Sequence, residues 1–170
     1  MLPFVSEENY MMHLEYVNQL RVKLSALEKI INVSTVRRRK RVDEENTEKA
    51  TRVKNEVRLH DAYFASFSER EFQRSTFVQQ VFVSENELLM MLYKAAMEAT
   101  HGFVGVERCS NNRLRVFSCS DYLELNDEFD PTLVIDVCEH AYFYDFEFDK
   151  ERYVRRALAH LSLDRIDDFS

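Results

Sequence analysis

The chain of 170 residues contains no tryptophan and only two glycines and two prolines. Because glycine and proline break helices and form tight turns, their scarcity favours long helices. No run approaches the roughly 18 consecutive apolar residues that a membrane-spanning helix needs, and we expect no membrane association. The three cysteines, an odd number, indicate reduced thiols rather than a disulfide framework.

Positive charge is also scarce, with 23 Lys and Arg against 30 Asp and Glu and a net charge of −7. This balance argues against a free-standing nucleic-acid-binding protein. One concentrated exception is the basic run, which consists of Arg37, Arg38, Arg39, Lys40 and Arg41. A solvated tip between two helices is one interpretation of this run. Contact with RNA phosphates, or with an acidic protein face, is the other.

The first half of the chain has the periodicity of helices. Apolar residues recur at helical spacing over about 7–36, and a second, more polar helical stretch covers about 43–67. Ser84 followed by Glu87 is a capping-box signature and predicts the start of a third helix. We therefore expect a helical hairpin followed by a separate helix.

The second half contains short β-rich runs. The predicted strands cover 103–109, 113–119 and 133–137. A last helix is predicted to begin at Asp149. The sequence thus predicts an α+β fold, with an N-terminal helical hairpin (residues 1–76) and a C-terminal α/β part (residues 77–170). The latter is a helix-flanked three-stranded antiparallel sheet.

The most informative motif runs from Asp136 to Tyr142, Asp-Val-Cys-Glu-His-Ala-Tyr. Asp136 closes an apolar run typical of a short buried strand, and His140 stands four residues later at the predicted start of a helix. The two side chains can therefore converge on one point and form half of a metal site.

This motif resembles the D-x-W-E-H-A-Y signature of the iron/manganese superoxide dismutases, with Cys138 in place of the Trp. A second segment, Leu59 to Phe64, is similar to the N-H-x-x-F-W segment of that family, with His60 on the ligand position. The resemblance implies that His60, Asp136 and His140 hold a metal. Iron, manganese or zinc would suit these donors.

A third segment, Tyr16-Val17-Asn18, matches the end of the family pattern H-x-x-x-H-x-x-x-Y-V-N. Counting back from Tyr16 places Met12 and Glu8 on the two family histidines, so Glu8 is the candidate fourth ligand. His13 is one position off and is expected to point about 100° away on the helix. In an active enzyme, Tyr16 would be the catalytic residue of the proton relay.

Other parts of the family's site are missing. The chain lacks the Trp residues that wall the site, and no Gln follows Gln80. Tyr122 is the nearest counterpart of the Gln that the manganese enzymes hydrogen-bond to metal-bound solvent. Glu139 matches the Glu that crosses the family's two-fold interface, which implies a dimer with a second copy or with a related dismutase-like subunit.

Two functions remain open. The sequence favours a catalytically degenerate structural subunit, a pseudoenzyme of the mitochondrial small ribosomal subunit in the mitochondrial matrix. It would contact ribosomal proteins and rRNA through the basic run, and no catalytic cofactor is then expected. The alternative is a divergent but active iron/manganese superoxide dismutase. A subunit of another organellar assembly is a third interpretation.

Overall fold

The computed structural model describes residues 1–36, 40–69, 84–111 and 113–167, without the side chains at 34–36 and 40–43. Within these residues, three helices come first, then three strands and two further helices. Their bounds are α1 (Glu7–Val36), α2 (Lys40–Ala65), α3 (Glu85–Glu98), β1 (Phe103–Arg108), β2 (Leu114–Cys119), β3 (Asp130–Asp136), α4 (Glu139–Phe146) and α5 (Lys150–Ala159), followed by a 3-10 turn, Leu163–Ile166. None of the described helices is long and apolar enough to cross a membrane.

The sheet has the strand order β2-β1-β3, and both pairings are antiparallel. Phe103, at the start of the central strand, lies opposite Cys119 on one side and Asp136 on the other. Helix α2 packs against β3, so the helical hairpin reaches the edge of the sheet where β3 ends. The predicted α+β fold, a helical hairpin followed by a helix-flanked antiparallel sheet, is confirmed.

Capping residues explain where two of the helices begin. Ser84 precedes α3, and its hydroxyl accepts a hydrogen bond from the Glu87 amide at 3.1 Å, as the capping box predicts. Asp149 precedes α5, and its carboxylate accepts from the Arg152 amide at 3.0 Å. Both caps satisfy main-chain donors that the first helical turn leaves unpaired.

In the part of the chain that the structure describes, buried apolar residues form two clusters. The larger one lies between the sheet and the helices around it. The smaller one joins α1 to α2 within the hairpin and contains Leu20, Leu27, Ala50 and Val53. Burial of apolar surface stabilises such contacts by about 25 cal/mol per Å². The smaller cluster therefore fixes the register of α1 against α2, on which the position of every α1 side chain depends.

Some boundaries differ from the sequence predictions. Strand β3 begins at Asp130, because it pairs with β1 as far as Arg108 and not only along its apolar part. Helix α2 begins at Lys40, so Lys40 and Arg41 form its first turn. Arg37, Arg38 and Arg39 lie outside the described residues, as does the predicted division between residues 76 and 77.

Candidate metal centre

Four side chains from four elements converge at the end of β3. His13 comes from α1, His60 from α2, Asp136 from the last position of β3 and His140 from the first turn of α4. Their candidate ligand atoms all lie within 4.8 Å of one another. The side chains of His13, His60 and Asp136 are buried, whereas that of His140 is 32% exposed. The cluster therefore has one side that faces solvent.

The three imidazoles are arranged around one carboxylate oxygen. Asp136 Oδ2 lies 3.3 Å from Nε2 of His13, 3.3 Å from Nε2 of His60 and 3.0 Å from Nε2 of His140. The Nε2 atoms of His60 and His140 are 3.4 Å apart. Tetrahedral metal–ligand bonds of about 2.1 Å separate donor atoms by about 3.4 Å. These distances therefore match the spacing of donors around a single ion.

Neighbouring main-chain groups orient two of the donors. Nδ1 of His60 lies 2.8 Å from the Glu56 carbonyl oxygen, which can only accept, so Nδ1 carries the proton and Nε2 keeps its lone pair. Oδ1 of Asp136 accepts from the Cys138 amide at 2.8 Å, which leaves Oδ2 directed at the imidazoles. Hydrogen bonds of this kind fix the tautomer and direction of metal ligands.

The pKa values favour the ligating forms of two donors. Burial raises the pKa of Asp136, but the imidazoles around it outweigh burial and hold that pKa well below its usual range. Burial lowers the pKa of His13 despite the nearby carboxylate. Burial also lowers the pKa of His140, but the hydrogen bond with Asp136 and the charge of that carboxylate outweigh burial and raise the pKa of His140. Asp136 is thus ionised, and His13 favours the neutral state.

The donor set fits a metal ion. Among the described residues, Nε2 of His13 is buried without an aligned hydrogen-bond partner, although Asp136 lies near it. Burying such a polar atom costs free energy unless it is satisfied. A cation bound at the centre would satisfy it. Three imidazoles and one carboxylate are suitable donors for iron, manganese or zinc.

The structure corrects the expectation for the fourth donor. Glu8 lies outside the cluster, where its Oε2 accepts from the Tyr144 hydroxyl at 2.7 Å in an exposed contact. His13 occupies the place that counting back from Tyr16 had assigned to Glu8. The packing of α1 decides this, because His13 shares a helix face with the buried Val17 and Leu20, four and seven residues later. That spacing was the available sequence signal.

Tyr16 does lie at the centre, and its environment includes a residue that the sequence analysis missed. The Tyr16 ring lies 4.5 Å from the His140 ring, between centroids. Its hydroxyl donates to Glu56 Oε1 at 2.7 Å. Glu56 stands four residues before His60, so helical spacing places both on one face of α2. The carboxylate next to Tyr16 could therefore have been found from the sequence.

Two residues at family positions line the same region. The thiol of Cys138 accepts from the Gly102 amide at 3.1 Å and so points toward β1. Burial raises the pKa of this thiol and also that of the Tyr122 hydroxyl. Both groups therefore stay protonated at neutral pH. Glu139, one residue before His140, is exposed.

The family model for the C-terminal domain of iron/manganese superoxide dismutases matches residues 62–168, well over half of the chain. The chain belongs to the iron/manganese superoxide dismutase family. No curated protein matches it significantly. The match includes Asp136 and His140, whereas His13 and His60 precede it. His13 and His60 are therefore placed in the cluster by the geometry of the hairpin and not by the match.

The assignment of the fourth donor predicts the effects of two substitutions on metal affinity. His13→Ala should weaken manganese binding strongly, because it removes a direct donor. Loss of a ligand's hydrogen-bond partner costs about 10–100-fold in affinity, and we expect a larger effect here. Glu8→Gln should leave the affinity unchanged, because Glu8 lies outside the cluster and accepts from the Tyr144 hydroxyl in an exposed contact. Competition with a chelator of known affinity measures both. Weaker binding in Glu8→Gln with normal binding in His13→Ala would contradict the assignment.

Proposed function

We propose that the chain binds one iron or manganese ion through His13, His60, Asp136 and His140 and removes superoxide as a divergent dismutase. The convergence of these four side chains within 4.8 Å carries the proposal. The sequence analysis favoured a degenerate protein because one histidine ligand, the tryptophan wall and the Gln were missing together. With His13 in the cluster, three imidazoles and one carboxylate are present, and the missing ligand no longer counts against activity.

The ion, when bound, would supply the one-electron redox chemistry of the family. The protein's own residues would determine the side from which an anion reaches the ion and the groups that supply protons. His140 is the partly exposed member of the cluster, so a small anion would approach from its side. The buried side, around His13, His60 and Asp136, excludes water and makes the electrostatic interactions within the cluster stronger than in solvent.

Tyr16 and Glu56 are the candidate proton-handling pair. Burial, together with the hydrogen bond to Glu56, raises the pKa of Tyr16, so its hydroxyl stays protonated at neutral pH. Glu56 is only half-buried and can exchange protons with solvent. Reduction of superoxide to peroxide consumes protons, and a hydroxyl within reach of the site can provide them. Tyr16 is thus linked to a carboxylate that faces solvent.

The decisive activity test uses purified protein loaded separately with iron and manganese, with occupancy confirmed by elemental analysis. We expect superoxide removal well above that of the free ions at equal concentration. Tyr16→Phe should lower turnover by about 10²–10⁴-fold if its hydroxyl is the proton donor, while occupancy stays near one ion per chain. Full occupancy without activity in the wild type would refute dismutation and leave metal binding intact.

A structural role in a larger assembly is the second candidate. It is favoured by exposed apolar side chains in and just beyond α4, namely Phe143, Tyr144 and Phe148. In this alternative, Glu139 and these side chains would meet a second dismutase-like subunit. The basic run would contact rRNA of the mitochondrial small ribosomal subunit, in the mitochondrial matrix.

This second candidate predicts that the native protein co-sediments with a ribonucleoprotein particle at moderate salt. Reversing the five charges of the basic run to Glu should release it, because each phosphate contact contributes to salt-dependent affinity. Reversing an equal number of surface charges on α5 and α3 provides the control. A native protein that sediments as a free dimer or monomer, apart from any ribonucleoprotein particle, would exclude this role.

A further inference from the structure

A buried pair of tyrosines lies directly behind the metal centre. Tyr63 on α2 and Tyr153 on α5 are both 0% exposed, and their hydroxyl oxygens are 3.2 Å apart. The Tyr153 hydroxyl donates to the main-chain carbonyl of Asp136 at 2.8 Å. Because that proton is committed to Asp136, the proton between the two tyrosines must come from Tyr63. The hydrogen bonds therefore run in one direction, from Tyr63 to Tyr153 to Asp136.

The pair also contacts the histidine donors. Tyr63 stands three residues after His60 on α2, and its ring lies 5.1 Å from the His13 ring at an interplanar angle of 33°. Tyr153 comes from α5, which supplies no donor to the cluster, and its ring stacks on Tyr142 at 5.2 Å. The pair thus joins the elements that carry His13, His60 and Asp136 to a helix outside the cluster.

Packing alone does not require the two hydroxyls. A phenylalanine would fill nearly the same volume, and the N-H-x-x-F-W pattern that this segment resembles has Phe where this chain has Tyr63. Burying a hydroxyl is unfavourable unless it is hydrogen-bonded. Two buried donors in series, ending on a ligand residue, indicate a role in holding that residue.

We propose that Tyr63 and Tyr153 are positioning residues of the metal centre, which fix the main chain at Asp136 and thereby the direction of its Oδ2. Asp136 ends β3, so no further strand residue holds the peptide that follows it. The Tyr153 hydroxyl holds the carbonyl, and the Val137 amide of the same peptide donates to Gly102 O at 2.9 Å. Loss of the tyrosine donor would release the carbonyl side of this peptide while the Val137 amide stays bonded, and this partial release would let the carboxylate shift. The inference rests on the proposed metal binding but not on dismutase activity.

The chain offers a matched control on the same strand. The Thr132 hydroxyl also donates to a buried main-chain carbonyl, that of Val106, at 3.0 Å. Thr132 lies four residues before Asp136 and outside the cluster. Thr132→Val and Tyr153→Phe each delete one buried hydroxyl that satisfies a main-chain oxygen, and each should destabilise the metal-free protein. The loss should be larger for Tyr153→Phe, because that substitution also removes the acceptor of the Tyr63 hydroxyl. Only Tyr153→Phe should affect the metal.

The experiment compares wild type, Tyr153→Phe, Tyr63→Phe, the double variant and Thr132→Val, with manganese alone as the probe. Affinity comes from chelator competition, the metal-dependent rise in melting temperature from thermal unfolding, and the ligand field from the electron paramagnetic resonance spectrum of Mn(II). We expect Tyr153→Phe to weaken manganese binding about tenfold or more. It should also reduce the metal-dependent rise in melting temperature and alter the Mn(II) electron paramagnetic resonance spectrum. Thr132→Val should leave all three metal readouts at wild-type values.

The double variant tests whether Tyr63 acts through Tyr153. Tyr63→Phe alone, which keeps the bond to Asp136, should weaken binding about two- to threefold, and the double variant should be no worse than Tyr153→Phe. Equal loss of stability in the metal-free and loaded forms, with unchanged affinity and spectrum, would overturn the proposal. So would metal readouts in Thr132→Val that match those of Tyr153→Phe. A wild type that binds neither manganese nor iron would refute both this proposal and the proposed function, whereas one that binds a metal but is inactive would refute only dismutation.

Discussion

The carboxylate of Asp136 is the interaction on which the rest of the structure depends. A fully buried carboxylate is stable only when other groups compensate its charge and its hydrogen-bonding capacity. Here a main-chain amide satisfies Oδ1, and three imidazoles surround Oδ2, where a bound cation would balance the charge. Each imidazole comes from a different helix, so the position of this one anion constrains α1, α2 and α4 at once. The fold can therefore be described as the packing that brings three histidines to the end of β3.

The surrounding elements support that arrangement in different ways. The sheet register places Asp136 beside Phe103 at the edge where α2 crosses. The apolar contacts between α1 and α2 set which face of α1 meets the centre. On the solvent side, Tyr16 covers His140 and is held by Glu56. The cluster thus has a buried side, formed by His13, His60 and Asp136, and a partly exposed side at His140.

Sequence reasoning found the donors whose placement depends on local geometry. Asp136 and His140 lie in one contiguous strand-to-helix segment, and His60 lies in a short pattern of its own. Sequence reasoning assigned Glu8, and not His13, as the fourth donor. It counted eight residues back from Tyr16 and so assumed that the whole of α1 has the family's spacing. Tertiary packing sets that register instead, and the apolar face shared by His13, Val17 and Leu20 was the better guide. The hydroxyl chain behind Asp136 could not be anticipated, because Tyr153 is distant in sequence and nothing local links it to β3.

The central claim is that one ion sits among three imidazoles and one carboxylate. X-ray absorption spectroscopy of the manganese- or iron-loaded protein at the metal edge tests it most directly, because it reports the number and type of ligands without depending on turnover. The account predicts one ion per chain with a nitrogen and oxygen shell at about 2.1 Å and outer-shell scattering from three imidazoles. A sulfur ligand from Cys138, or scattering from fewer than three imidazoles, would contradict it.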